Sequence, residues 1–588
     1  MRTIIKKITI INCIILLGIL TSCETFLDEE PKGRLDESFL KTESGLKSLS
    51  VALYERAHYQ IYTLLHLGAA GTDEITFAQE RTAERMTLYQ TDVLVESSEV
   101  RNAWRYLYEM LNNCNYGLSI IDEVPFNSQA DKDKITGEFN FFRAWLFWIA
   151  VELWGEGAHY TLTPTEGVIT EGYQTTIDVF YKTILDDISI AEQKLPAKSN
   201  LNGELNIDIA NALKARVLMS LTQYSDSIIK STGYYTSKNE VYSAAKKIAD
   251  SFISSSKYGL LDDYASVFNV NNEGNKETIW ALQMTLDPVY TLELHILARD
   301  FTANPTFSLR EKKSLLSGYG LYEHSGWYGR KMGSYMATYY YATLFDENDK
   351  RLEGTFETVY RKLWNSATNK YDDMGVPMKD GKPTDTILYR PMREVSEEEA
   401  AEYKKRGIFV DGLNLIYKGE NKKPGGGYRS NERMYCNTIT KYLDRNRTAP
   451  KLEKSGNDII IFRLAEQYLI GAECALFLEG NNAAKVYIDN LRKRARKTTN
   501  SLPVVASDID IDYILDERTR ELGTEMIRWF DLKRTNRFER IPQLNPDCEF
   551  FDINIHKLRP IPNSELELIT NYPEGFKQNP NYPSKISQ

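Results

Sequence analysis

The sequence predicts a mainly α fold, in which four antiparallel helix pairs of the tetratricopeptide type support an irregular, loop-rich region. Three observations predict it. Apolar residues recur at three- and four-residue steps near 44–64, 102–122, 138–155, 177–191, 207–222, 241–256, 459–478 and 482–496, the period of a helix with one buried face. These stretches fall into antiparallel pairs, and no pair can bury its apolar face alone, so neighbours must stack. Between 265 and 455 the period gives way to turn-forming clusters, including Gly425-Gly426-Gly427 and the group Gly375, Pro377, Asp380, Gly381 and Pro383.

Taken in order, the chain opens with Lys6 and Lys7 ahead of an apolar run, Ile8 to Leu20, that is too short for an ordinary membrane span. Thr21 and Ser22 then precede Cys23 as in a lipobox. Residues 1–22 are expected to be a lipoprotein signal peptide, and 23–43 a tether lipidated at Cys23, since several acyl chains anchor far more firmly than one. Glu24, Asp28, Glu29 and Glu30 make that tether acidic.

Residues 44–264 are expected to form the first three helix pairs. Phe141, Phe142, Trp145, Leu146, Trp148, Ile149 and Leu153 give one helix a broad apolar stripe that must be covered by others. The next carries Ile177, Phe180, Ile184, Ile188 and Ala191 on one face. Thr175 and Asp178 are placed to cap its start, and Leu195-Pro196 stops it. Residues 265–455 form the loop-rich region, where binding side chains usually sit on a rigid scaffold. The fourth pair, within 456–588, must fold back beside the first three.

Composition excludes several functions. Loss of residues 1–22 removes Arg2, Lys6 and Lys7 and no acid, leaving 69 basic against 82 acidic side chains, a poor partner for nucleic acid. Cys114, Cys436, Cys474 and Cys548 contain no Cys-x-x-Cys pair, so neither a disulfide framework nor a zinc-thiolate site is indicated. No zincin, nucleophile-elbow, Walker or dinucleotide motif is present, and Ser227-Ile228-Ile229-Lys230 lacks the companions of a Ser-x-x-Lys enzyme. His58 and His66 lie about two helical turns apart, too far to share an ion. A catalytic acid pair of the glycosidase kind is conceivable only at Asp73 and Glu74, which as sequence neighbours point apart unless a loop turns them. No catalytic residue and no cofactor is expected, and a metal site is left open, with Asp346 to Asp349 the place to look for calcium.

Tyrosine is the unusual residue, with 37 copies. Tyr339, Tyr340 and Tyr341 run into Leu344 and Phe345 and read as core. Trp327 and Tyr328 lie in Gly326-Trp327-Tyr328-Gly329, after Gly318 and Gly320, and read as an exposed loop. Aromatic faces there could take the C–H faces of sugar rings while hydroxyls hydrogen-bond.

The C-terminal third resembles the SusD/RagB family of outer-membrane nutrient-binding lipoproteins. The resemblance is carried by Phe462-Arg463-Leu464-Ala465-Glu466-Gln467-Tyr468-Leu469-Ile470 with Ala472-Glu473, then Leu491-Arg492-Lys493-Arg494-Ala495 and Glu517-Arg518-Thr519-Arg520-Glu521-Leu522. Arg528-Trp529-Phe530-Asp531-Leu532-Lys533-Arg534, Pro560-Ile561-Pro562 and Gln578-Asn579-Pro580-Asn581-Tyr582 follow in the family's order. Upstream, Glu138 to Gly155, Leu260 to Tyr264 with Phe268, Phe345 to Arg351, and Phe26-Leu27-Asp28 with Pro31 agree. Phe142 stands where Leu is usual, and Glu156-Gly157 where Asp and a hydrophobe are common.

The resemblance implies a lipid-anchored protein of the outer membrane's outer surface. It would bind an oligosaccharide or polysaccharide and close as a lid over a SusC-like TonB-dependent transporter, without covalent chemistry. A peptide ligand, as in some relatives, is the alternative, and a surface glycoside hydrolase a weaker one. Family precedent places ligand in loops near the first helical unit and in the irregular middle. Within that region Trp327, Tyr328 and Tyr322 are nominated as ligand contacts, with Arg330, Asp73, Glu74 and Phe77 as polar or secondary ones. Arg463, Glu466, Glu473, Glu517, Arg518, Glu521, Arg528 and Asp531 are expected to form a structural ionic network, because near-buried charge must be paired.

Overall fold

The computed structural model describes residues 37–78, 81–165, 167–199, 201–287, 296–301, 322, 324–329, 333–377, 386–414, 437–451 and 454–584. The expected signal peptide, Cys23, most of the expected tether, Arg330 and Gly425 to Gly427 lie outside them. Eight long helices dominate: α1 (Glu43–Gly68), α2 (Ser98–Ile120), α3 (Gln129–Trp154), α4 (Ile177–Lys194), α5 (Ile207–Leu221), α6 (Lys238–Ser254), α7 (Leu464–Glu479) and α8 (Asn481–Ala495). Consecutive helices pack on one another through the whole series, and α6 packs on α7 although some 200 residues intervene. The fourth pair therefore extends the same stack.

Local chemistry starts these helices where the periodicity places them. Thr42, Ser97, Asn206 and Ser237 each accept a hydrogen bond from a first-turn backbone N–H, satisfying a donor the helix cannot. α4 departs from expectation. Its N-cap is Thr176 with no side-chain bond, and the Glu156 carboxylate instead accepts from the Ile177 N–H at 3.3 Å. A distant acid at the positive helix end replaces the local box.

The stack buries α3 almost completely, including Phe141, Phe142, Trp145, Trp148 and Trp154. Gly117 lets α2 approach it, because a Cβ there would stand 2.4 Å from the Phe139 ring. Gly480, at φ 91° and ψ −178°, turns α7 directly into α8, a conformation open essentially to glycine alone.

Residues 459–463 correct the periodicity reading: Ile459–Arg463 is a strand, and helix begins only at Leu464. Four successive β-branched or aromatic residues favour the extended chain, which pairs antiparallel with Thr278–Leu282. The loop-rich middle also holds short strands. Val359–Arg361, Thr386–Tyr389 and Phe409–Val410 form one three-stranded sheet; Leu363–Asn365 pairs with Lys370–Tyr371 and Val376–Pro377 in another. Segments too short and irregular for a period-two signal escaped the sequence reading.

No helix of the described residues is long and apolar enough to cross a membrane.

Candidate ligand-binding site

The first helix pair and the middle region meet at a two-stranded ribbon, in which Ile75–Phe77 runs antiparallel to Tyr335–Ala337. Beyond it the Ala78 N–H donates to the Ser334 carbonyl at 2.7 Å. The Asn437 amide oxygen accepts from the Ala337 N–H at 3.0 Å, and the Ile439 N–H donates to the Phe301 carbonyl. The flanks of three segments remote in sequence, after Ala78, between Phe301 and Ser334, and before Asn437, are thus tied to one place. Such convergence on a rigid base is how loops build a site.

An aromatic row leads to that place along α1. Tyr59 is exposed, Tyr62 half-buried and His66 buried, at one-face helical spacing. Tyr106 of α2 lies 4.9 Å from Tyr59 and 5.8 Å from Tyr62, centroid to centroid. His66 Nδ1 pairs with the Tyr335 hydroxyl at 2.6 Å, which fastens the row to the ribbon. Burial, helped by the Arg299 charge, depresses the His66 pKa to about 3 and keeps the ring neutral. The sequence reading missed Tyr59, Tyr62 and Tyr106; their spacing on two predicted helices was the available signal.

The nominated residues are divided. Ser325 and Gly329 exchange backbone hydrogen bonds at 2.9 and 3.1 Å, closing the expected turn around Gly326-Trp327-Tyr328. Tyr328, expected to be exposed, points inward and is 2% exposed. It packs with Tyr360, Leu363, Ile387 and Leu388, and its hydroxyl accepts from the Arg361 N–H at 2.7 Å. Trp327 is half-buried. The Arg445 guanidinium lies 4.7 Å above its ring and is held by Glu357 at 2.7 Å, so one face of the indole is covered. Tyr322 packs half-buried on the same small core. Arg330 lies outside the described residues.

Asp73, Glu74 and Phe77 also correct the expectation of accessible contacts, since all three are buried. Phe77 belongs to the main core. Asp73 accepts both Arg528 Nε and Nη2, at 2.7 and 2.6 Å, and Arg540 Nε at 3.1 Å. Glu74 Oε1 lies 3.6 Å from Arg528 Nε, so this loop does turn both acids to one side. Burial raises the Glu74 pKa to about 7 against the opposing pull of Arg528. Both acids face protein, which leaves no room for a sugar between them.

Behind the ribbon lies a dense set of buried ion pairs. Arg463 meets Glu277, Glu521 and Glu525, each at 2.8 Å. Arg351 joins Asp349, Glu517 and Glu521, while Arg492 binds Glu517 at 2.6 Å and Arg494 binds Glu277 and Glu521. A second group pairs Arg518 and Arg534 with Asp531 at 2.7 and 2.8 Å, Arg534 with Glu473, and Arg216 with Glu466 at 2.7 Å. Burial opposes ionisation of Glu521, but Arg494, Arg463 and Arg351 outweigh it and hold its pKa at about 2. All eight charged residues nominated for a network are buried and paired; Glu277, Arg351, Arg494, Arg534, Lys441 and Glu525 are further members that were not nominated.

Asp349 is engaged by Arg351, and Asp346 accepts from the Asn348 N–H. Among the described residues no group of three or more His, Cys, Asp or Glu is placed to hold a metal ion.

Comparison with known proteins agrees with this architecture. The model of the SusD family matches residues 231–582, and a model described as starch-binding associating with outer membrane matches residues 25–219. SusD-like protein P25 from Formosa agariphila is 24% identical over 578 residues, covering 93% of this chain and 94% of that protein. Among solved structures, a SusD homolog from Bacteroides thetaiotaomicron superposes with a TM-score of 0.65 at 16% identity, over 93% of this chain and 99% of that one. B. fragilis NanU gives a TM-score of 0.63 at 18% identity, over 94% and 100% of the two chains. Surface glycan-binding protein A from B. thetaiotaomicron, in complex with laminarihexaose, gives 0.60 at 16%, over 92% and 99%.

Proposed function

This chain belongs to the SusD family, and on that footing we propose that it is a cell-surface lipoprotein, anchored to the outer membrane through Cys23. It binds a nutrient glycan and hands it, as a lid, to a SusC-like TonB-dependent transporter. The observation that carries the glycan reading is the aromatic row Tyr59, Tyr62 and Tyr106, partly open to solvent and leading to the ribbon that joins the first helix pair to the middle region. Tyrosine supplies ring face and hydroxyl together at small entropic cost. The laminarihexaose complex of a structural neighbour supports the same class of ligand.

No bond is made or broken in this mechanism. Ligand is captured because it binds one state of the lid better than another, and release follows when the lid's state changes. Asp73 and Glu74, the acid pair that could be imagined for hydrolysis, are committed to Arg528 and, for Asp73, also to Arg540. A peptide ligand is the second reading, and one observation favours it: Trp327 has a face covered by Arg445 and Tyr328 is buried, so neither offers an open platform.

The test is a polysaccharide panel run by affinity gel electrophoresis on protein beginning after Cys23, with hits measured calorimetrically. Selective retardation by one glycan class, weakened at least tenfold in Tyr59→Ala/Tyr106→Ala, is expected. A blank panel with folded protein, together with measurable binding of a peptide mixture, would replace the glycan reading by the peptide one.

A further inference from the structure

On another face of the stack, residues 167–177 run beside residues 567–577. The Thr170 carbonyl accepts both the N–H and the hydroxyl of Thr570, at 2.7 and 2.8 Å. Gly172 and Asn571 exchange two hydrogen bonds, and Gln174 and Lys577 two more. Gly172 lies so close to Phe576 that a Cβ there would stand 2.3 Å from the ring. Tyr160, stacked on Phe147 and bonded to Thr183, backs Tyr173 at 6.3 Å. The double ribbon is therefore held in shape before anything binds it.

Its outer side is apolar where a surface loop has no need to be. Val168 is 65% exposed, Tyr173 59% and Leu568 48%, and Val168 and Leu568 each stand two residues ahead of the bonded threonines. Around them Glu171, Glu567 and Glu574 are exposed, with Lys577 the one basic residue in the two segments. Val168 and Leu568 offer no ring face to a sugar and Tyr173 is a single ring between them in sequence, while an acidic rim is repelled by an anionic lipid surface. An apolar centre with a mainly acidic surround is the anatomy of a protein interface, and the excess of acid favours a basic partner.

We propose that this acid-rimmed ribbon docks a Lys/Arg-bearing segment with an apolar centre and, resting on the function proposed above, that the segment belongs to the transporter. The ribbon is separate from the aromatic row, so ligand capture and docking use different residues.

The experiment uses the full-length lipidated chain, affinity-tagged and extracted in mild detergent from its native outer membranes, with any co-purifying TonB-dependent barrel identified and quantified by mass spectrometry. Glu171→Lys/Glu567→Lys/Glu574→Lys is expected to lower the recovered barrel at least tenfold, and Val168→Ser/Leu568→Ser severalfold. Glu398→Lys/Glu402→Lys, on the exposed helix Glu397–Lys405, controls for charge alone and is expected to keep the barrel. Recovery of the barrel by the parent and equally by both ribbon variants overturns the surface assignment. If the parent itself brings down no such barrel, the transporter reading fails and this inference with it. All the substituted side chains are exposed, and circular dichroism checks that each variant is folded.

Discussion

Arg528 and Asp73 lie 455 residues apart in the chain and meet in its interior, the guanidinium donating through Nε and Nη2 to the two carboxylate oxygens. The pair joins the loop after α1 to the helix Arg528–Arg534, which follows α8 in the chain. Asp73→Ala leaves the guanidinium with Glu74 at 3.6 Å as its nearest acid and is expected to cost about 3–5 kcal/mol. Denaturant unfolding measures this, and a loss under about 1 kcal/mol would show the pair to be dispensable.

Glu74 makes stability depend on pH. Its pKa rises from 4.5 to about 7 on folding, so between those values the folded chain holds a proton that the unfolded chain has lost. The contribution of Glu74 therefore falls as pH rises from about 4.5 to about 7, by on the order of 3 kcal/mol, while His66, held neutral by burial, contributes in the opposite direction up to about 6.5. Glu74→Gln, which cannot ionise, should make the slope of that part of the curve more positive than the parent's in thermal melts taken at half-unit pH steps. An unchanged slope would place the titration elsewhere.

Tyr328 and Trp327, adjacent in one turn, are expected to behave differently. Tyr328→Ala empties the centre of the small Tyr360, Leu363, Ile387 and Leu388 cluster, at a cost of about 3 kcal/mol, and should speed amide exchange at Tyr360 and Leu388. Tyr328→Phe loses the hydroxyl's bond from the Arg361 N–H and its longer one, 3.4 Å, to the Arg361 carbonyl, together about 1 kcal/mol. Trp327→Ala should leave those amides protected. Equal exchange in all three variants would contradict the inward placement of Tyr328.

Gly480 is the hinge of the fourth helix pair. Gly480→Ala meets no neighbouring atom within 4 Å, so any loss of stability reports backbone strain alone, expected at about 1–3 kcal/mol. Chemical denaturation distinguishes this from a neutral change.

The helices were legible because their apolar stripes repeat locally at three- and four-residue steps; the one cap assigned from sequence, Thr175 with Asp178, was not, because the acid that holds that helix start is Glu156, 21 residues away. The buried charges were legible as a set, since the family resemblance singles out Arg463, Glu517 and Glu521 and near-buried charge must be paired. Their partners were not, because Arg351 and Glu277 arrive from the middle region, whose path no period records. The site was the least legible part. Gly326 and Gly329 announce a turn without saying which of Trp327 and Tyr328 it turns inward, and Asp73 looks like any loop acid until Arg528 is beside it.

The pairing of Thr278–Leu282 with Ile459–Arg463 has a consequence for how such a chain can diversify. It fastens the two ends of the excursion spanning 283–458, so the stack on either side experiences that excursion as a closed loop. Closing a loop depends only weakly on its length, each doubling costing roughly 0.6 kcal/mol. Outside the parts that bind back to the stack, such as Tyr335–Ala337, Arg351 and Lys441, insertions, deletions and replaced hairpins between these two strands can therefore accumulate while the helices keep their stability, which leaves ligand preference free to drift.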